Sequence, residues 1–245
     1  AKLKTAHTIN NFKGYVSIDF KLRGRDCKVV KPKTTAQGKP WIWRARFWAH
    51  EPQTDIALLE RGYHLAYCDV AELMGNEEAL SIWSEFYKLS SNAGLSKKSV
   101  MEGMSRGAMY SFCWAAANPD KVSCIYVDNP LLDCRYLADR NGDLDEITEN
   151  FIQAYNLKRK ADIRTFKGSP IDKIKEIVNG RYPILILCAN QDEAVPPSQT
   201  IEFERKIKEA GGDITVMMKH GFKHHPHSLS NPAPIVDFIL KANRK

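Results

Sequence analysis

The chain has 245 residues, of which 43% are hydrophobic, so it can bury a sizeable core, and we predict one α/β domain over 1–245. Its net charge of +7 is concentrated at the front, because residues 1–50 hold twelve Lys or Arg and two acidic residues. This basic front is consistent either with solvent-exposed strands or with an acidic polymer as binding partner. The sequence shows no nucleic-acid motif and no apolar run of roughly 20 residues, which argues against nucleic-acid and membrane partners.

The first predicted element is an antiparallel hairpin with strands at 15–20 and 27–30, and a strand at 41–47 and a helix at 54–62 follow it. Strands and helices then alternate. The further predicted strands are 63–70, 99–102, 124–127, 182–189 and 214–218, and the further predicted helices are 76–92, 108–118, 197–210 and 234–242.

Apolar strands separated by helices indicate a mostly parallel, twisted sheet with helices on both faces and the leading hairpin at one edge. Residues 133–180 interrupt this alternation, since they are mostly polar and partly helical. We expect them to form a helical cap over the carboxyl ends of the strands, where open α/β sheets bind their ligands.

A G-x-S-x-G pentapeptide, Gly103 to Gly107, lies between a predicted strand and a predicted helix. In this setting it predicts a nucleophile elbow, a sharp turn that presents Ser105 above the sheet. We expect a Cβ at either glycine to meet neighbouring main chain, and Ser105 to adopt a strained conformation.

Two further groups follow later strands in the order serine, acid, histidine. Asp192 comes directly after the most apolar strand, and His224, His225 and His227 come after the last strand. A serine hydroxyl needs a base to take its proton and a carboxylate to orient that base. The three histidines could alternatively bind a metal, but their spacing is tight for zinc and no Cys or carboxylate accompanies them. We therefore expect no metal and no cofactor.

The elbow, the acid loop with V-P-P at 195–197, N-P-D-K-V at 118–122 and H-H-P-H-S-L at 224–229 together resemble the α/β-hydrolase superfamily. The resemblance is closest to compact bacterial hydrolases of the prolyl-oligopeptidase-like or carbohydrate-esterase type. It implies a catalytic triad of Ser105, Asp192 and His224. Lys223 stands where the family pattern has glycine, so His225 remains open as the base, and Asp128 is the second choice for the acid.

The oxyanion of an acyl-transfer reaction needs donors placed in advance. We expect these to be the backbone N–H of Arg106 and the N–H of Phe47 or Trp48, although the loop lacks the H-G-G-G form. Arg106, Trp48 and His50 are the predicted substrate-binding residues. Arg106 is equally open to a role as an ion-paired structural arginine, and His50 to a structural role.

The predicted function is a serine esterase acting on a carbohydrate ester, either an acetyl ester or a uronic-acid methyl ester, with a small or oligosaccharide substrate of acidic character. The alternatives are a serine peptidase, disfavoured because the sequence contains no propeller domain, and a non-catalytic module that binds acidic polysaccharide. Four cysteines are predicted to be small core residues, with Cys27 and Cys134 left open. The compartment is open, a periplasmic or secreted location being preferred.

Overall fold

The structure, a computed structural model, describes residues 6–140 and 145–244. Its strands are β1 (His7–Phe12), β2 (Tyr15–Leu22), β3 (Arg25–Lys31), β4 (Trp41–Arg44), β5 (His64–Cys68), β6 (Ser99–Met104), β7 (Val122–Asp128), β8 (Ile184–Ala189) and β9 (Ile214–Lys219). Its α-helices are α1 (Gln53–Glu60), α2 (Glu77–Asn92), α3 (Gly107–Ala117), α4 (Glu146–Ala154), α5 (Ile174–Asn179), α6 (Ser198–Glu209) and α7 (Ala233–Ala242). None of the helices within these ranges is long and apolar enough to cross a membrane.

All nine described strands form one sheet in the order β1-β2-β3-β5-β4-β6-β7-β8-β9. The strands from β5 to β9 in this order pair in parallel, whereas β1, β2 and β3 pair antiparallel and β3 joins β5 antiparallel. This confirms the predicted α/β-hydrolase architecture, with its parallel body and antiparallel leading edge.

Two apolar cores cover the two faces of the sheet, because neighbouring side chains along a strand point to opposite faces. Ile42 packs on the face that carries α1 and α7. Trp43 packs on the other face, where its ring lies 4.6 Å from that of Trp83 and 5.3 Å from that of Trp114. Trp41 joins the same core.

The leading edge has one strand more than predicted, since β1 adds a third antiparallel strand before the hairpin. In addition, β4 ends at Arg44 and not at residue 47. The reason is local: Phe47, Ala49 and Glu51 have positive φ values of 55°, 63° and 45°, which no strand can accommodate.

The six cysteines are buried and free, and Cys27 pairs in register with Cys68 across β3 and β5. They therefore behave as small apolar residues, as predicted for four of them.

The insertion between β7 and β8 consists of α4, α5 and three short 3-10 turns, and residues 141–144 of the predicted cap lie outside the described residues. Two hydrogen bonds fix it to the loop after β5: Tyr155 donates to the carbonyl of Met74 at 3.0 Å, and Asn76 donates to the carbonyl of Ala154 at 2.9 Å. A third joins the Tyr136 hydroxyl to the carbonyl of Ala194, just beyond β8. The cap is thereby tied to the loops that follow β5 and β8, two strands that have β4, β6 and β7 between them in the sheet.

Candidate active site

The elbow at the end of β6 places Ser105 in a left-handed conformation, with a φ of 53°. The turn is tight because a Cβ on Gly103 would lie 2.6 Å from the backbone N and Cα of Ala108. A Cβ on Gly107 would instead meet the Cβ of Arg46, at 3.2 Å. The predicted contact with main chain is therefore found at Gly103, whereas the close neighbour of Gly107 is a side chain.

Both backbone groups of Ser105, the N–H and the carbonyl, are hydrogen-bonded. Its backbone N–H donates to the carbonyl of Asp128 at 2.9 Å, and its carbonyl accepts from the N–H of Leu131 at 3.0 Å. The strained turn is thus tied to β7 and the segment after it, which fixes the position of the Ser105 backbone.

The three residues predicted as a triad lie in hydrogen-bonding sequence. Ser105 Oγ is 3.0 Å from His224 Nε2, and His224 Nδ1 is 2.7 Å from Asp192 Oδ2. Both distances are short enough for a proton to pass from the hydroxyl to the ring and for the carboxylate to fix the ring tautomer.

The Asp192 carboxylate is oriented by its own loop. Its Oδ1 accepts hydrogen bonds from the N–H groups of Ala194 at 2.8 Å and Val195 at 2.9 Å. Burial alone would raise the pKa of this carboxyl, but the hydrogen bonds from His224, Val195 and Ala194 outweigh it and hold the pKa below its ordinary value. Asp192 is therefore ionised at neutral pH.

Asp128, the second choice for the acid, lies elsewhere. One carboxylate oxygen is 2.8 Å from Lys219 Nζ and 3.3 Å from His227 Nδ1, and the other accepts from the N–H of Ser228 at 2.6 Å. Its partners are therefore Lys219, His227 and Ser228, and not His224. Likewise His225, the second choice for the base, is exposed, and its ring meets His50 edge-on with centroids 5.7 Å apart.

Asn129 supports the base and was not found by sequence reasoning. Its side-chain N–H donates to the carbonyl of His224 at 2.7 Å, while its Oδ1 accepts from the N–H of Ala189 at 2.7 Å. The side chain thus bridges the end of β8 and the histidine loop. The available signal was an asparagine directly after a buried strand, at a position where polar residues of α/β sheets cluster.

The predicted oxyanion donors lie in the elbow and in the loop after β4. Within residues 6–140 and 145–244, neither the N–H of Arg106 nor that of Phe47 donates to another protein group. The carbonyl of Phe47 is engaged instead, accepting from Arg44 Nε at 3.0 Å and from the N–H of His50 at 3.1 Å. Both amides are therefore available to a ligand, and their role as an oxyanion hole stays a prediction.

Two guanidinium groups lie side by side next to the nucleophile. Arg106 and the unpredicted Arg46 lie over the ring of Phe47, with carbon-to-centroid distances of 5.5 and 5.0 Å. Both face a single carboxylate, Glu146 of the cap, at 3.1 and 3.9 Å respectively. The glutamate is 74% exposed while the arginine side chains are 11% and 18% exposed, so the group carries a net positive charge that is only weakly screened.

The other two predicted substrate-binding residues have different surroundings. Trp48 packs against the rings of Phe12 and Tyr67, at 4.9 and 5.4 Å, and so joins the leading strands to the body of the sheet. His50 lies at the surface beside His225, with its Nε2 3.2 Å from Glu51. His50 is thus near the triad histidine loop, whereas Trp48 has the contacts of a structural residue.

A buried charge group lies beneath the elbow and was not predicted. Arg44 pairs with Asp55 and lies 3.6 Å from Glu102, and all three side chains are at most 1% exposed. Burial, and then the nearby charge of Asp55, raises the pKa of Glu102 well above its ordinary value, although Arg44 opposes this. Glu102 is therefore protonated at a pH where an exposed glutamate would be ionised.

A parallel sheet with a nucleophile elbow, and an acid and a histidine after later strands, defines an α/β hydrolase. More specifically, the chain belongs to the prolyl oligopeptidase family of serine hydrolases, whose family model matches residues 83–243, well over half of the chain. A comparison with curated protein sequences finds no significant match.

Solved structures share the fold at low sequence identity. A Mycobacterium tuberculosis puromycin-hydrolyzing peptidase is 11% identical with a TM-score of 0.69, covering 96% of this chain and 38% of its own. The Pyrococcus horikoshii acylaminoacyl peptidase is 18% identical with a TM-score of 0.66, and the coverage is 99% and 41%. Est1E from Butyrivibrio proteoclasticus is 18% identical with a TM-score of 0.68, and here the match covers 94% of this chain and 99% of the other. This chain therefore spans about two fifths of the two peptidases.

Proposed function

We propose that this protein is a serine esterase that removes an acetyl or a uronic-acid methyl ester from an acidic carbohydrate. The observation that carries the hydrolytic part is the linked set Ser105, His224 and Asp192, with its hydrogen bonds of 3.0 and 2.7 Å. The carbohydrate and the ester type rest on the sequence resemblance and on the charge around the nucleophile.

In this mechanism His224 takes the proton of Ser105 as the oxygen attacks the ester carbonyl. Asp192, ionised at neutral pH, stabilises the imidazolium that results. The amides of Arg106 and Phe47 meet the oxyanion of the tetrahedral intermediate. His224 then protonates the departing alkoxide, and a water molecule, activated by the same ring, hydrolyses the acyl-enzyme.

The preference for an acidic substrate follows from Arg46 and Arg106. Together with Glu146 they leave about one unbalanced positive charge beside the nucleophile, and the Nε of Arg46 is buried without an acceptor in the described part of the chain. Planar guanidinium groups bind carboxylates through paired hydrogen bonds. A uronate next to the ester in the polymer supplies such a carboxylate.

The first experiment measures turnover of p-nitrophenyl acetate and covalent labelling by a fluorophosphonate probe. We expect Ser105→Ala to abolish both, whereas Ser91→Ala, which removes a hydroxyl on the remote helix α2, leaves both unchanged. Labelling that persists in Ser105→Ala would overturn the assignment of the nucleophile. A protein that neither labels nor turns over ester would instead support a binding module.

The substrate is then tested with acetylated and methyl-esterified polysaccharides, read out as released acetate or methanol. A peptidase is the second candidate, favoured by the family and by the peptidases among its structural relatives. Acyl-peptide p-nitroanilides decide between the two, because amide turnover at a higher kcat/KM than that of every polysaccharide ester would favour the peptidase.

A further inference from the structure

Four of the seven histidines gather at the rim of the active site. His50 comes from the loop after β4, and His224, His225 and His227 come from the loop after β9. The ring of His225 lies at the centre, with centroids 4.8 Å from His227, 5.1 Å from His224 and 5.7 Å from His50. The fold thus joins imidazoles that are far apart in the sequence.

The loop after β4, which carries His50, also brings a carboxylate to this cluster. Glu51 Oε2 lies 3.2 Å from His50 Nε2 and is held in place by a hydrogen bond of 2.7 Å from the backbone N–H of His227. The ligand atoms of His50, Glu51 and His225 all lie within 4.8 Å of one another. In the sequence, no carboxylate accompanies the three histidines of the loop after β9. The fold brings Glu51 of the loop after β4 beside them.

We propose that His50, Glu51 and His225 form a binding site for a divalent transition-metal ion of the Zn²⁺ type. Two imidazoles and one carboxylate are a donor set suited to this ion, with bonds of about 2.0–2.1 Å and one coordination position left open. Tetrahedral bonds of that length place ligand atoms about 3.4 Å apart, close to the 3.2 Å between His50 and Glu51. His225 is exposed and can close the remaining gap by rotating its side chain, without disturbing the core.

A second trio, His224, His225 and His227, is just as compact but is committed to other contacts. Both ring nitrogens of His224 are taken by Ser105 and Asp192. Coordination there would dismantle the triad, whereas the site at His50, Glu51 and His225 can fill while the triad stays intact.

Metal binding at this site inhibits hydrolysis, a consequence that rests on the proposed function. A divalent charge on His225, whose ring adjoins that of His224, opposes the formation of a second positive charge on the base during catalysis. We expect a loss of kcat of at least tenfold on saturation with Zn²⁺, fully reversed by EDTA.

Binding is measured by isothermal titration of ZnCl₂ into the wild-type protein, in which Ser105 still occupies His224 Nε2, purified without a histidine tag and stripped with EDTA before dialysis. The cysteines are buried, which limits competition from thiols. We expect one ion per chain. His50→Ala, Glu51→Gln and His225→Ala should each weaken binding at least tenfold, whereas His220→Ala, which removes an exposed histidine of the same loop, should leave it unchanged.

Absence of Zn²⁺ binding would overturn the proposal, and so would full binding retained in both His50→Ala and Glu51→Gln. Gln keeps the oxygen that accepts from His227, and His50 is exposed, so these variants keep the fold. Because the titration measures binding and not turnover, its result does not depend on whether the protein is an esterase.

Discussion

Replacing Gly103 by alanine is expected to cost both stability and activity, and the size of the effect follows from the elbow. The new Cβ would lie 2.6 Å from the N and Cα of Ala108 and 2.7 Å from the carbonyl carbon of Gly107, where real Cβ contacts do not fall below 3.0 Å. The first turn of α3 must therefore move by at least 0.4 Å, which is 3.0 less 2.6 Å. All three neighbours are backbone, so no side chain can rotate away.

Overpacking of this kind costs about 1–3 kcal/mol. In a chain of this size that lowers Tm by about 2–12 °C. Activity should fall more steeply, because the displaced backbone carries Ser105, whose Oγ is set 3.0 Å from His224 Nε2. A misplacement of about 1 Å can cost about 100-fold, so we expect kcat to fall about 10- to 100-fold.

Gly107→Ala is the matched comparison. The nearest atom to its Cβ would be the Cβ of Arg46, at 3.2 Å, with no backbone atom closer than 3.7 Å, and alanine favours the helix that begins there. We expect a change in Tm of less than about 3 °C and a smaller loss of kcat. Thermal unfolding by circular dichroism and p-nitrophenyl acetate kinetics measure both variants. If Gly107→Ala were the more damaging of the two, the steric argument for the elbow would be wrong.

Three further predictions concern charged groups. Asp192→Asn should lower the kcat for p-nitrophenyl acetate by about 10³- to 10⁴-fold with the fold retained, because an amide cannot stabilise the imidazolium of His224. A loss of kcat below tenfold would contradict this role of Asp192. The Glu102→Gln variant should become more stable relative to the wild type as pH rises above 4.5, because Glu102 ionises readily in the unfolded chain but its raised pKa opposes ionisation in the folded one. Urea unfolding at several pH values measures this difference in the free energy of unfolding, and a difference independent of pH would refute the reasoning. Arg46→Met and Arg106→Met should each raise KM for an ester on an anionic sugar about 5- to 30-fold, which corresponds to about 1–2 kcal/mol of binding free energy after allowance for solvent. A neutral ester is the control, and equal effects on both esters would disprove the carboxylate-binding role.

The order of the elements could be predicted because the parallel strands are short apolar runs and the helices between them carry end signals. Asn76, for example, caps α2 by accepting from the N–H of Ala79 at 2.9 Å. β1 was missed for the opposite reason. His7–Phe12 is exposed at all but its last residue and, among the described strands, pairs with β2 alone, so no apolar pattern marks it.

In the site, the residues placed by chain order could be predicted, and those that depend on the meeting of distant loops could not. Ser105, Asp192 and His224 each follow a strand, and parallel strands bring their carboxyl ends to one edge. Asn129 and Arg46 gain their significance only from the folded contacts, with the carbonyl of His224 in one case and with Glu146 in the other.

The loop after β4 shows why such contacts escape sequence reasoning. Arg44, 1% exposed, donates to the carbonyls of Phe47 and His50 and pairs with Asp55, so one buried side chain holds the entire loop in its left-handed turns. In the proposed mechanism, that loop presents the Phe47 amide to the oxyanion and the Arg46 guanidinium to an acidic substrate. It also supplies two ligands of the proposed metal site. A buried ion pair adds little net stability, but a broken one costs several kcal/mol. Arg44 is therefore best understood as fixing the shape of the active-site rim, a role that depends on Asp55, eleven residues further along the chain.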